Sequence, residues 1–275
     1  MRLFSLAHIS DAHIKAHGKL SYGKVDTLGA LTRCIHQINE MKPRPDAVLI
    51  SGDLVDFGLT EEYRQFREVV DALEVPYFAI PGNHDERTAF LAAFSDQPWC
   101  PQGDEPIRWA LDHYPVRLIG LDSSVPSKPW GELSVQDLEW LDQILREYPD
   151  KPTVVTLHHH PFPCGIDHMD VQNLHNAEAL ADVISTHPQV QRILCGHVHR
   201  YIVTGFASTI ACVAPGISHQ VAPDFAPGGP SAFVMEPPGF LLHLWMDAQN
   251  VASHYIPVGQ FDGPWPFFDE NGLID

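Results

Sequence analysis

Five short apolar runs along this chain each lead into side chains with oxygen or nitrogen donors. Leu3–Ile9 runs into Asp11 and His13, Ala47–Ile50 into Asp53, and Tyr77–Ile80 into Asn83 and His84. Val154–Leu157 runs into His158, and Arg192–Cys195 into His197 and His199. Runs this short, closed by Gly, Pro or Ser, read as buried strands. Between them the period changes to that of a helix. Residues 26–41 set Leu28, Leu31, Ile35 and Ile38 on one face, and 60–73, 86–94, 134–147 and 176–186 read as further helices. Thr60, followed by Glu61 and Glu62, and Ser134 are the expected N-caps. Ile107–Leu111 and Val116–Leu121 form a hairpin pattern, and the Pro-, Asp- and Gln-rich stretch 96–106 reads as loop. After Arg200 come short strands over 201–205, 208–213, 231–236, 239–246 and 251–257, interrupted by the Pro/Gly-rich segment 222–230.

Strand alternating with helix, then mostly strand, predicts a layered α/β fold whose second sheet is finished by the C-terminal strands. Ligands of open α/β sheets collect outside the carboxyl ends of the strands. Five such ends carrying Asp, Asn and His would form one polar cluster. Seven donors exceed what one metal with open positions takes, and suit two metals sharing a carboxylate.

Composition narrows the partners. The net charge of −18, from 17 basic and 35 acidic residues, disfavours a long nucleic acid and an anionic membrane. A small phosphorylated substrate stays possible, because divalent metals supply the missing positive charge. No apolar stretch is long enough to cross a membrane as a helix. The N-terminus lacks the pattern of a signal peptide, which points to the cytoplasm. Five cysteines without a CxxC pair fit reduced thiols: Cys34 and Cys195 as core residues, with one disulfide among Cys100, Cys164 and Cys212 left open.

Each donor motif alone is weak. Asp11-x-His13 and Gly52-Asp53 both occur in ordinary turns, and His197-x-His199 occurs on surface strands. Pro81-Gly82-Asn83-His84-Asp85 is more specific, since a neutral amide oxygen limits the charge gathered at one metal. Asp, Asn and His without Cys admit Fe, Mn, Zn and Co alike.

Together, DxH, GD, GNHD, a strand-end His and GHxH resemble the signature of the calcineurin-like metallophosphoesterases over residues 4–200. The chain is similar to that superfamily's class III cyclic-nucleotide phosphodiesterase and bacterial glycerophosphodiesterase branch. The narrower resemblance rests on Leu121-Asp122-Ser123-Ser124, Gly131-x-Leu133, His158-His159-His160-Pro161, Pro215 through Gln220, and the tail from Gly263-Pro264-Trp265 to Asp269-Glu270-Asn271. It implies a four-layer sandwich of two mixed sheets flanked by helices, with a small C-terminal cap or dimerisation segment. The division it suggests is a catalytic core over 1–215, a cap or oligomerisation arm over 216–240, and terminal strands and tail over 241–275. One metal would take Asp11, His13 and His199; the other would take Asn83, His158 and His197; Asp53 would bridge them. His84 would donate to the phosphoryl group or leaving oxygen, and His219 would face the substrate.

The implied reaction is hydrolysis of small phosphodiesters, 3′,5′-cyclic nucleotides or glycerophosphodiesters, by a hydroxide held on the metals, in a homodimer or a larger oligomer of dimers. Arg87 and Arg200 are candidates for substrate contact or plain surface residues, and Phe57, Phe162 and Phe225 for pocket lining or core. A phosphomonoesterase or protein phosphatase on the same metal core is the rival reading, though dianionic monoesters usually take Arg contacts that are scarce here. A non-catalytic scaffold would be expected to have lost donors from the set.

Overall fold

In the computed structural model, strand β1 (Phe4–Ile9) is buried at every position, as are β2 (Ala47–Ser51) and β3 (Tyr77–Ile80). Residues 3–103, 105–270 and 272–274 are described; Asn271 of the expected tail motif lies outside them. Unbroken burial means that both faces of these strands are covered, which explains why they read as continuous apolar runs. One face meets helices α1 (Thr27–Glu40) and α2 (Thr60–Val70), through Leu31, Ile35, Ile38, Tyr63 and Phe66. The short α3 (Arg87–Ala93) lies against α2.

The second sheet supplies the other cover. It contains β4 (Arg108–Leu111), β5 (Arg117–Leu121), β6 (Thr153–Thr156), β7 (Val190–Cys195), β8 (Ile202–Phe206) and β9 (Thr209–Val213). Its side chains alternate between two cores. Leu118, Val154, Leu194 and Cys212 join the core shared with the first sheet. Ile119, Val155, Ile193 and Ala211 face the outer helices α4 (Val135–Glu147) and, beyond the single-turn α5 (Asp167–Asp170), α6 (Ala177–Ser185). This two-residue alternation sets the four layers: helices, sheet, sheet, helices.

The larger elements follow the apolar pattern, and two differences stand out. Leu59, not Thr60, occupies the N-cap of α2. The Glu62 carboxylate accepts the backbone N–H groups of Phe57 and Leu59 at 2.9 and 3.2 Å, a task a threonine cap does not perform here. The second concerns the C-terminal strands, which divide between the sheets. The second sheet runs β4-β5-β6-β7-β9-β8 and is finished by residues 202–213. A two-stranded ribbon follows, of β10 (Gln220–Val221) with β11 (Phe233–Val234). The chain then crosses back, and β12 (Gly239–Trp245) and β13 (Val251–Pro257) complete the first sheet in the order β13-β12-β1-β2-β3. β12 is buried at six of its seven positions, and its backbone pairs antiparallel with the free edge of β1. A last pair, β14 (Phe268–Asp269) with β15 (Gly272–Leu273), closes the tail.

Candidate metal centre

The two sheets place the loops after β1, β2, β3, β6 and β7 together, and with them all seven expected donors. His158 Nε2 lies 3.3 Å from Asp53 Oδ2 and 3.2 Å from Asn83 Oδ1. His13 Nε2 lies 3.6 Å from Asp53 Oδ2 and 3.0 Å from His199 Nε2, which is itself 3.4 Å from Asp11 Oδ1. The backbone N–H of His197 donates to both oxygens of Asp11 at 3.1 Å, locking the loop after β7 onto the loop after β1.

Backbone conformation serves this convergence at a cost. Asp11, His13, Asp53, His197 and His199 all have left-handed φ, between 45° and 72°. Non-glycine residues rarely sit there, and each does so at about 1–3 kcal/mol. Gly52 (φ 98°) turns the chain ahead of Asp53, and a Cβ on it would collide with the His158 ring. A Cβ on Gly82 would collide with the Asp53 carboxylate.

The electrostatics call for cations. Asp11 and Asp53 are buried with no Lys or Arg among the partners described for them, an arrangement that is costly without positive charge. Burial alone would lower the His158 pKa, but the Asp53 and Asp11 carboxylates outweigh it and lift it to about 9, the mark of a place that favours positive charge. Burial and neighbouring imidazoles push His199 down to about 3 and His197 well below its usual value, leaving both neutral with lone pairs to donate. Buried His197 Nε2 has no hydrogen-bond partner at all. An orphaned imidazole nitrogen, two imidazole nitrogens at 3.0 Å and two buried carboxylates form a donor set suited to divalent ions.

Around the cluster, hydrogen bonds hold the donors in place. His158 Nδ1 donates to the Ser51 carbonyl at 2.7 Å, turning Nε2 toward Asp53. His13 Nδ1 faces Asp56 Oδ1 at 3.3 Å. Burial would raise the Asp56 pKa, but His13 and Lys15 bring it down to about 2. His84 donates its backbone N–H to Asp53 Oδ1 at 2.8 Å and its Nδ1–H to the Asp56 carbonyl at 2.8 Å. Its ring sits edge-on to His13 and lines a cavity of about 420 Å³ above the cluster. His219, its ring 4.7 Å from that of His199, lines the same cavity with Tyr22 and Phe233.

Other candidates lie elsewhere. Arg87 is tied to Asp122 and the Ser124 carbonyl, Arg200 to Glu236 and the Val221 carbonyl, and neither lines the cavity. Phe162 is core, while Phe57 and Phe225 are exposed. All five cysteines are unpaired, which removes the disulfide left open among Cys100, Cys164 and Cys212. Sequence reading passed over the loop around α5, whose His168, Met169 and Gln172 form one cavity wall. It also gave His159 no role. Its ring atoms group closely with His158 and His197, while its Nδ1 meets Ser123 Oγ at 2.8 Å. A run of three histidines hides which nitrogen faces where.

Two mixed sheets between helices, with a His/Asp cluster able to hold metals at their joined carboxyl ends, define a metallophosphoesterase. The chain belongs to the calcineurin-like phosphoesterase family, whose model matches residues 4–201. It is 43% identical over 272 residues to a probable glycerophosphodiester phosphodiesterase of Arcobacter nitrofigilis, covering 98% of this chain and 99% of that one. It is 31% identical over 231 residues to a 3′,5′-cyclic adenosine monophosphate phosphodiesterase of Pseudomonas aeruginosa, covering 81% and 82%. Among solved structures, a dimetal phosphatase from Danio rerio shares the fold, with a TM-score of 0.67 at 15% identity over 94% of this chain and 100% of that one. Among the described residues no helix is long and apolar enough to cross a membrane.

Proposed function

We propose that this protein is a phosphodiesterase with a binuclear metal centre that hydrolyses small diesters, glycerophosphodiesters first and 3′,5′-cyclic nucleotides beside them. The observation that carries the reading is the convergence of seven donors from five loops beneath a cavity of about 420 Å³, a size suited to a small ligand. Asp11, His13 and His199 would hold one ion, Asn83, His158 and His197 the other, and Asp53 both. The ions would supply positive charge for the phosphoryl oxygens and acidify a water nucleophile.

The remaining chemistry belongs to the chain. With its Nδ1–H held on the Asp56 carbonyl, His84 as an imidazolium would carry its second proton on Nε2, the one it would hand to the leaving alkoxide. The backbone N–H of the same residue fixes Asp53 Oδ1, so one residue both orients the bridge and serves the leaving group. His219 is buried among Tyr22, Phe233 and His199, and burial with nearby imidazoles lowers its pKa to about 2, so it acts as a neutral hydrogen-bonding wall. No Lys or Arg is among the described residues that line the cavity, which favours a singly charged diester over a doubly charged monoester. Resemblance to the glycerophosphodiester relative runs the whole length of both chains, past the family match at residue 201, and supports placing glycerophosphodiesters first.

The test compares bis(p-nitrophenyl) phosphate with p-nitrophenyl phosphate on protein stripped of metal and reloaded with manganese, followed by glycerophosphodiesters and cyclic AMP. Metal-dependent preference for the diester is expected. Preference for the monoester would overturn the reading.

A further inference from the structure

The three consecutive histidines after β6 meet different surroundings. His158 belongs to the cluster above, and His159 meets Ser123. His160 is fully buried, yet neither of its ring nitrogens has a hydrogen-bond partner. Its ring packs against Phe162, and its Nε2 lies 4.0 Å from Asp170 Oδ1. The Cys164 sulfur completes a triangle, all three donor atoms lying within 4.8 Å of one another. Asp170 is held in place: its two oxygens accept the backbone N–H groups of Cys164 and Gly165 at 2.6 and 3.0 Å. Gly165 adopts a left-handed φ of 84° to close this loop. A carboxylate oxygen that accepts one hydrogen bond keeps a lone pair for a second partner.

We propose that His160, Cys164 and Asp170 form a separate site for a borderline-soft divalent cation, zinc foremost, which fastens the loop that forms one wall of the cavity. None of the three is among the seven donors of the metal centre, so the site stands whether or not the phosphodiesterase reading holds. Imidazole, thiolate and carboxylate with a fourth position for water make a familiar zinc donor set. Tetrahedral zinc with bonds of about 2.0–2.3 Å brings its donors to roughly 3.3–3.8 Å of each other. The 4.0 Å between His160 and Asp170 therefore needs only a small closure. Charge balances as well: a thiolate, a carboxylate and a divalent ion sum to zero in a half-buried place. Without a cation, burial and the Asp170 carboxylate hold the thiol protonated, its pKa pushed up to about 12, so Cys164 is not a free nucleophile. On binding, the S–H bond breaks, the S–metal bond forms, and the proton leaves to water. The benefit is local order. α5 begins three residues after Cys164 and carries His168 and Met169 into the cavity wall, with Gln172 just beyond.

Cobalt distinguishes this site from the other. A thiolate on Co(II) gives an intense near-ultraviolet charge-transfer band, which a centre of Asp, Asn and His donors cannot give. Metal-free protein titrated with cobalt is expected to develop this band to one equivalent, and Cys164→Ser to lose both the band and that equivalent of metal. Asp170→Asn, which keeps the thiol, should weaken cobalt at this band by about tenfold or more. Absence of the band at saturating cobalt, or an equal band in Cys164→Ser, would overturn the proposal. Should the serine variant fail to fold, unchanged cobalt affinity in Asp170→Asn overturns it equally.

Discussion

Asp53 lies at the centre of the proposed machinery, within reach of His13, His158 and the His84 backbone. Asp53→Ala should therefore release metal and reduce turnover to background, as read by metal analysis beside the diester assay. His84→Ala separates the two properties: metal content unchanged, kcat lower by about 10²–10⁴-fold. Full turnover in the first variant, or loss of metal in the second, would contradict the roles assigned. The convergence of these seven side chains was legible because each follows a strand-sized apolar run, and strand ends of a layered α/β fold collect on one side. The left-handed backbone of five of them was not legible, since Asp and His at such positions look no different in sequence from Asp and His in any turn. His168 was missed for a related reason: it sits on the single-turn α5, with no apolar run to mark its place.

Helix α2 shows what a short polar motif contributes to an element. The buried Glu62 carboxylate closes the helix start by accepting two backbone N–H groups. Glu62→Ala would leave both donors without that partner, and a loss of about 1–3 kcal/mol is expected in urea unfolding. An unchanged midpoint would show that water replaces the carboxylate fully. The same stretch precedes the GNHD loop in sequence and leans on it in space, since Tyr63 of α2 donates its hydroxyl to Asp85 at 2.8 Å. Element boundaries were readable to within a few residues. Sheet membership of the last strands was not, because an apolar run states that a strand is buried but not which edge receives it. β12 and β9 are both short apolar strands, and they join different sheets.

Acid sensitivity is a property of the whole molecule that follows from its buried histidines. His8 on β1 meets Ser51 Oγ at 2.8 Å, and burial pushes its pKa down to about 3. His243 on β12, its ring 5.7 Å from that of His8, is lowered well below its usual value by burial, by His8 and by Arg192. Both are neutral when folded and titrate near 6.5 when unfolded. The unfolded chain binds the protons first, so their contribution is fully present above about pH 6.5 and is lost as pH falls toward the folded pKa values. Each adds up to ~1.4 kcal/mol per pH unit to that slope. Urea unfolding at pH 7 and pH 5 is expected to show a shallower fall in His243→Gln than in the parent protein. Equal slopes would assign the acid sensitivity to other groups.

The return of β12 to the edge of β1 has a consequence for how the molecule is made. Every donor of the metal centre has been synthesised once residue 199 is in the chain, and the family match ends at 201. At that point β1, which carries the first two donors on its trailing loop, still has one row of backbone groups open, and its partner arrives some forty residues later. Until then the nascent chain holds all seven proposed metal donors on an unfinished sheet with a sticky edge. The last fifth of the sequence supplies no donor to the metal centre, yet it decides when the first strand stops being an aggregation hazard and becomes the middle of a fold.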